Sequence, residues 1–156
     1  MAEPRLLFVC LGNICRSPLA EAAFRHAAAA RGLDIAADSA GTGDWHVGSP
    51  PDRRAQAEAR RHGIDISGYR ARQVEARDFH RFTHILALDS ANLEDLRNIA
   101  PPDATAALSL LLDHVDGRAG QSVADPYFGA DDGFAETWRD VSAAALALAA
   151  KLAGAR

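Results

Sequence analysis

The residues best equipped for chemistry stand together near the start of the chain, in the run Cys10-Leu-Gly-Asn-Ile-Cys15-Arg16-Ser17. A loop that leaves a strand and enters a helix N-terminus turns several backbone N–H groups and the positive end of the helix dipole into one concavity, which suits a tetrahedral dianion. Gly12 and Asn13 are the residue types that tolerate the positive φ angles of so tight a cradle. A cysteine at its mouth feels the same donors and the Arg16 guanidinium, all of which favour the thiolate near neutral pH. Cys10 is therefore a candidate nucleophile toward phosphorus. Arg16 offers planar, bidentate contacts to two phosphoryl oxygens, and Ser17 could cap the helix while donating to the sulfur. No metal is needed in this scheme. Free cysteine is more often a small buried hydrophobe, and Cys15 keeps that reading where catalysis is concerned, with a secondary role in trapping oxidised Cys10 as a disulfide.

The flanking elements must position this loop. Arg5 to Val9 is a short, continuous apolar run, the pattern of a strand covered on both faces. A helix follows, with Ser17 as N-cap and Pro18 at the first helical position, running to Arg31 and stopped by Gly32. Asp34 to Ala40 reads as a second strand, and Gly41 to Pro51 as a long loop. Asp52 to His62 is the next helix, and Arg77 to Arg81 a short helical turn. His84 to Leu88 is a third strand, followed by a helix capped by Ser90 or Asn92 and ending at Ile99. Ala106 to Leu112 holds a fourth strand, and Asp113 to Asp132 is a polar loop. Gly133 to Lys151 forms a final helix with Phe134, Trp138, Val141, Ala145, Leu148 and Leu152 on one face. Strands alternating with helices predict an α/β fold: a three-layer sandwich with a four-stranded parallel sheet and helices on both faces. Ligands of such sheets bind beyond the strands' carboxyl ends, where the Cys10 loop lies.

Composition sets limits. With 156 residues, 48% hydrophobic and rich in alanine, the chain is expected to be one compact domain spanning residues 1–156. The longest apolar run, Ala143 to Ala150, falls short of the roughly 18 to 20 residues a bilayer needs, and Glu3, Pro4 and Arg5 stand where a secretory leader would begin its apolar stretch. A cytoplasmic protein without membrane insertion is expected. A formal charge of −4 argues against a nucleic-acid partner. Lys151 is the one lysine, which removes every lysine-dependent phosphate loop, and two cysteines make neither a four-ligand zinc site nor a disulfide framework.

The run from Val9 to Pro18 resembles the signature of the low-molecular-weight protein tyrosine phosphatases. Asp38-Ser-Ala-Gly-Thr42, Trp45-His-Val-Gly48, Pro51-Asp52, His62-Gly-Ile64, Ala71-Arg-Gln73, Asp89 with Asn92-Leu93, and Asp125-Pro-Tyr-Phe-Gly129 continue the likeness over essentially the whole chain. The resemblance implies hydrolysis of phosphotyrosine and small aryl phosphates through a phosphocysteine on Cys10, with no cofactor. It implies that the N–H groups of Leu11, Gly12, Asn13, Ile14, Cys15, Arg16 and Ser17 hold the phosphate, helped by the Arg16 side chain. Asn13, Ser17 and Ser39 would support the loop. Asp125 would protonate the leaving phenolate and then deprotonate the attacking water; on residue type alone it is a turn-forming Asp before Pro. Leu11, Trp45 and Tyr127 would wall the slot for the phenyl ring, with His46 and Phe128 at its rim. The implied partner is a phosphotyrosine-containing protein, a bacterial tyrosine kinase among the candidates.

Three positions depart from the family pattern. Tyr69 stands where many members carry a His behind the phosphate loop, so the support of Asn13 and Ser39 is expected to differ. Phe128 replaces the second of a tyrosine pair, and His46 occupies a variable rim position. Ile14 points to phosphotyrosine, since related phosphoarginine phosphatases carry Thr there. Competing readings are an arsenate reductase, which lacks its downstream thiols here, and a non-catalytic phosphate-binding module. A serine hydrolase built on Ser39, Asp89 and His114 is the last, its Ala37-Asp-Ser39-Ala-Gly41 approaching a nucleophile elbow.

Overall fold

In a computed structural model, residues 3–129 and 132–154 are described; Ala130 and Asp131 of the predicted polar loop lie outside them. Four strands, β1 (Arg5–Cys10), β2 (Ala36–Gly41), β3 (His84–Ala87) and β4 (Ala107–Leu110), form one sheet in the order β2-β1-β3-β4. Every pairing is parallel. Helices α1 (Arg16–Ala30), α2 (Arg53–Arg61), α3 (Asp78–Arg81), α4 (Ser90–Ile99) and α5 (Gly133–Gly154) connect and cover the strands. The α/β sandwich and its loop between β1 and α1 are as the sequence predicts.

The strand period of two divides the core. Leu6, Phe8 and Cys10 face α1 and α5, sharing a cluster with Leu19, Phe24 and Leu148. Leu7 and Val9 face the opposite way, onto Phe79, Leu93 and Leu96 of α3 and α4. The same alternation that buries β1 on both faces fixes which way its last residue, Cys10, points. All six residues predicted for the buried face of α5 are buried.

Helix starts differ from expectation. Cys15, not Ser17, takes the N-cap position of α1, and its side chain makes no capping hydrogen bond; Ser17 lies inside the first turn because its hydroxyl is turned inward to Cys10. Asp89, not Ser90 or Asn92, caps α4, its carboxylate accepting from the Asn92 N–H at 2.7 Å. Asp52 caps α2. The fourth strand ends at Leu110, and a 3₁₀ turn, Leu111–His114, takes up the last two residues of the predicted strand segment and the first two of the predicted loop; its Leu111 and Leu112 are buried in the α5 face of the core. Among the described residues no helix is long and apolar enough to cross a membrane.

Candidate active site

Cys10 ends β1 with 3% of its surface exposed. Its Sγ lies 3.0 Å from the Ser17 Oγ and accepts from the Asn13 N–H at 3.3 Å. The loop between is wrapped from outside: the carbonyls of Cys10, Leu11 and Ile14 accept from the N–H groups of Thr42, Gly43 and Asp52. With those carbonyls engaged from outside the loop, the Asn13 N–H is the backbone donor on the sulfur.

Asn13 carries the strain of this turn. Its φ of 58° is a conformation that costs most residues about 1–2 kcal/mol, and its side chain is anchored three ways. Nδ2 donates to the Ser17 and Ser39 hydroxyls at 2.8 and 3.0 Å, and Oδ1 accepts from the Arg72 N–H at 3.0 Å. Gly12, expected to share the positive φ, does not adopt it. Its lack of a side chain matters for space instead, because a Cβ there would lie 3.0 Å from the His46 ring. The tighter requirement falls on Gly41, which sequence reading missed: a Cβ on it would sit 2.7 Å from the Leu11 carbonyl oxygen. Only glycine at the end of β2 lets the loop pack this close.

Arg16 is 3% exposed and aimed by two groups distant in sequence. Its guanidinium donates to the Asp89 carboxylate at 2.7 Å and to the Val123 carbonyl at 2.9 Å, leaving NH2 3.6 Å from the Asp125 Oδ2. Burial alone would lower its pKa; the Cys10 sulfur, then Asp89 and Asp125, hold it above the ordinary value. Asp89 is a second residue with a role that the sequence reading did not assign. Its place directly beyond the carboxyl end of β3 is the signal that could have singled it out.

Asp125 stands on the loop before α5, with Oδ1 accepting from the Tyr127 N–H at 3.0 Å. A pocket of about 220 Å³ joins the two halves, with Cys10 and Arg16 at its base and Trp45, His46, Asp125 and Tyr127 around its mouth; Leu11, Gly12, Ile14, Cys15 and Phe128 complete the lining. Trp45 is 70% exposed and Phe128 95%. The indole lies across Gly43, where a Cβ would be only 1.9 Å from the ring. Tyr127 is packed edge-on against Phe128 and lies 5.7 Å from the Arg54 guanidinium. Cys15 is buried beside Cys10, and burial, then the charge of Asp52, pushes its thiol far up. It stays protonated where a nucleophile would need to ionise.

The serine hydrolase arrangement does not exist. Ser39 bonds to Asn13 and Glu21, Asp89 to Arg16, and His114 to Ser109 and Lys151. The three residues are engaged separately, with Ser39 held between the Asn13 and Glu21 side chains.

Residues 5–156 match the family described as low molecular weight phosphotyrosine protein phosphatase. The chain belongs to that family. The phosphatase is 49% identical over 125 residues to the low molecular weight protein-tyrosine-phosphatase YfkJ of Bacillus subtilis, covering 79% of this chain and 80% of that one. The crystal structure of YfkJ superposes with a TM-score of 0.91 and 41% identity, covering 100% of this chain and 98% of the other. A Drosophila arginine phosphatase superposes with a TM-score of 0.87 at 34% identity, covering 92% and 94%. This chain is a hydrolase, a low-molecular-weight protein-tyrosine-phosphatase.

Proposed function

We propose that this phosphatase works through Cys10, Arg16 and Asp125, the whole chain acting as one catalytic domain. The phosphate of a phosphotyrosine side chain enters the loop of Leu11 to Ser17, where peptide N–H groups and the Arg16 fork hold its oxygens. The Cys10 thiolate attacks phosphorus; the S–P bond forms as the bond to the phenolic oxygen breaks, and Asp125 delivers its proton to that oxygen. In the second step Asp125 takes a proton from water as the water oxygen attacks phosphorus. The S–P bond breaks, leaving inorganic phosphate and the thiolate. The observation that carries this reading is one pocket holding Cys10, Arg16 and Asp125 together, with Arg16 spanning the other two.

Substrate choice follows from the walls. Trp45, Tyr127 and Phe128 surround the mouth with aromatic surface, which suits a phenyl ring better than a flexible, charged guanidine chain. We place the protein in the cytoplasm, acting on phosphotyrosine-containing proteins, with a tyrosine kinase as one such substrate.

Turnover of p-nitrophenyl phosphate, measured with and without chelator, tests the scheme. Cys10→Ser is expected to abolish activity while leaving inorganic phosphate binding intact, whereas Ser39→Ala only slows the reaction. The reverse pattern, or loss of activity in chelator, would overturn the mechanism. Parallel assays on phosphotyrosine and phosphoarginine peptides decide the substrate, with the aryl phosphate expected to be preferred.

A further inference from the structure

A chain of buried hydrogen bonds runs from the nucleophile to a half-exposed cation on α1. Asn13 Nδ2 spends both of its protons, one on the Ser17 Oγ and one on the Ser39 Oγ. Each hydroxyl, having accepted, must send its own proton onward: Ser17 toward the Cys10 Sγ, and Ser39 to the Glu21 Oε1 at 2.9 Å. Glu21 is 5% exposed, and its other oxygen, Oε2, accepts from the Arg25 Nε at 2.8 Å. Arg25 lies one turn further along α1 and is tied down by a second bond, from its NH2 to the Ala37 carbonyl of β2.

We propose that Arg25 is a positioning residue for catalysis: by keeping both Glu21 oxygens as acceptors, it fixes the Ser39 hydroxyl as donor to Glu21 and acceptor from Asn13, and so steadies the Asn13 amide that holds Ser17 beside Cys10. The inference rests on Cys10 being the nucleophile. Burial drives the Glu21 carboxyl upward, and its bonds to Arg25 and Ser39 oppose that rise. The other groups facing it do not replace Arg25. Asp38 adds a like charge. The Tyr69 phenol, pushed up to about 12 by burial and then by Glu21, stays neutral. Arg72 is committed to Asp38 and Asp78. Without Arg25, only the Ser39 bond opposes the rise that burial imposes on Glu21, and the neutral carboxyl is favoured. Once neutral, Glu21 can present to the Ser39 hydroxyl either an acceptor oxygen or a proton, so the direction of that bond is no longer fixed. The anchor that Ser39 gives the Asn13 side chain is then less firmly held, and with it the amide that also donates to Ser17 beside Cys10.

The experiment compares Arg25→Met, Arg25→Lys and Glu21→Gln with the parent in kcat and KM on p-nitrophenyl phosphate across pH, and in the rate of Cys10 alkylation by iodoacetate. Arg25→Met is expected to lower kcat about tenfold at the acidic end, the size of effect seen when a supporting partner is removed, with KM within about twofold by the same reasoning. Its acidic limb should move to higher pH, because Glu21 has lost the cation that opposes its upward shift. Arg25→Lys restores the parent limb. Glu21→Gln is slow at every pH and lacks the displaced limb. In a Ser39→Ala background, which severs Glu21 from Asn13, Arg25→Met should add nothing further to kcat. Should Arg25→Met fold poorly, Arg25→Gln makes the same comparison. A parent-like pH profile in the folded variant, no rescue by Lys, or full additivity with Ser39→Ala would each overturn the proposal. None of these results bears on Cys10 itself, which the Cys10→Ser measurement decides separately.

Discussion

The pocket has a floor and a rim that differ in almost every physical respect. On the floor, Cys10, Asn13, Arg16 and Ser17 are each at most 3% exposed and bound to one another or to buried partners. At the rim, Trp45, Asp125 and Phe128 face solvent, and their local contacts are few: an indole lying on a glycine, a carboxylate on a backbone N–H, two rings edge to edge. In the proposed mechanism the floor binds the part of the substrate that never varies, a phosphate, with donors that gain strength from the low dielectric around them. The rim meets the part that varies, and leaves room for it. Preorganisation is concentrated where charge changes during the reaction, and adaptability where the peptide chain differs.

Asp125 is where that division should break most visibly. It belongs to the exposed rim, with 40% of its side chain accessible, yet it is assigned the proton transfer. Asp125→Ala is expected to lower kcat by about 10²- to 10⁴-fold on phenyl phosphate, the range for loss of a general acid. The loss should shrink steeply as the leaving phenol becomes more acidic and needs no proton. An equal loss with every leaving group would remove Asp125 from the acid role and restore a strict separation of floor and rim.

The aromatic rim residues should behave in the opposite way. Trp45→Ala and Phe128→Ala are each expected to raise KM on a phosphotyrosine peptide by about two- to tenfold, corresponding to the roughly 0.5–1.5 kcal/mol of an aromatic contact. The kcat should be nearly unchanged, since these rings touch the substrate equally before and during reaction. Paired measurements on a peptide and on inorganic phosphate as inhibitor sharpen the contrast: the phosphate affinity should not move. A fall in kcat with constant KM would place the rings on the catalytic side.

The same contrast explains what was legible in the sequence. The floor is local grammar: an apolar strand, a tight loop with Gly and Asn, then a helix with Ser and Pro in its first turn, all within residues 5–18. Cys10 and Arg16 could be named from it by physical reasoning alone. Where that grammar misled, tertiary demand had displaced local preference. Ser17 is a good N-cap by type, but its hydroxyl serves the sulfur, so Cys15 stands at the cap without a capping bond. Gly12 was credited with a backbone freedom that only Asn13 uses, while the glycine most needed for space, Gly41, lies on another strand. What sequence spacing could not supply was long-range pairing. Asp89 reaches Arg16 across 73 positions, and Asp125 looks like any aspartate before proline until the fold brings it over the pocket. Only the resemblance to the family had named it.

A third region, distant from floor and rim, gives the smallest effect and a control for both. Near the C-terminal end of α5, the Lys151 ammonium donates to the His114 Nδ1 at 2.9 Å, and the His114 Nε2 lies 2.9 Å from the Ser109 Oγ. His84, on the neighbouring strand, bonds to Thr83 at 2.8 Å. Burial, then Lys151, holds both imidazoles below their ordinary pKa; Asp113 opposes this at His114, and the charge of His84 depresses His114 further. Between those depressed values and the ordinary value near 6.5, the unfolded chain binds more protons than the folded one. Stability from this corner is therefore fully present above about pH 6.5 and is lost as pH falls through the folded values. A protonated His114 cannot accept from Lys151, so the loss has a geometric cause as well as an electrostatic one. His114→Gln keeps a polar side chain but cannot take up the proton. Urea midpoints at pH 7.5 and 5.5 are expected to differ less in this variant than in the parent, while kcat per folded molecule stays the same. If the parent's midpoint is flat between those pH values, or His114→Gln retains the full slope, the titrating groups lie elsewhere. If kcat changes with the slope, this corner is coupled to the floor after all.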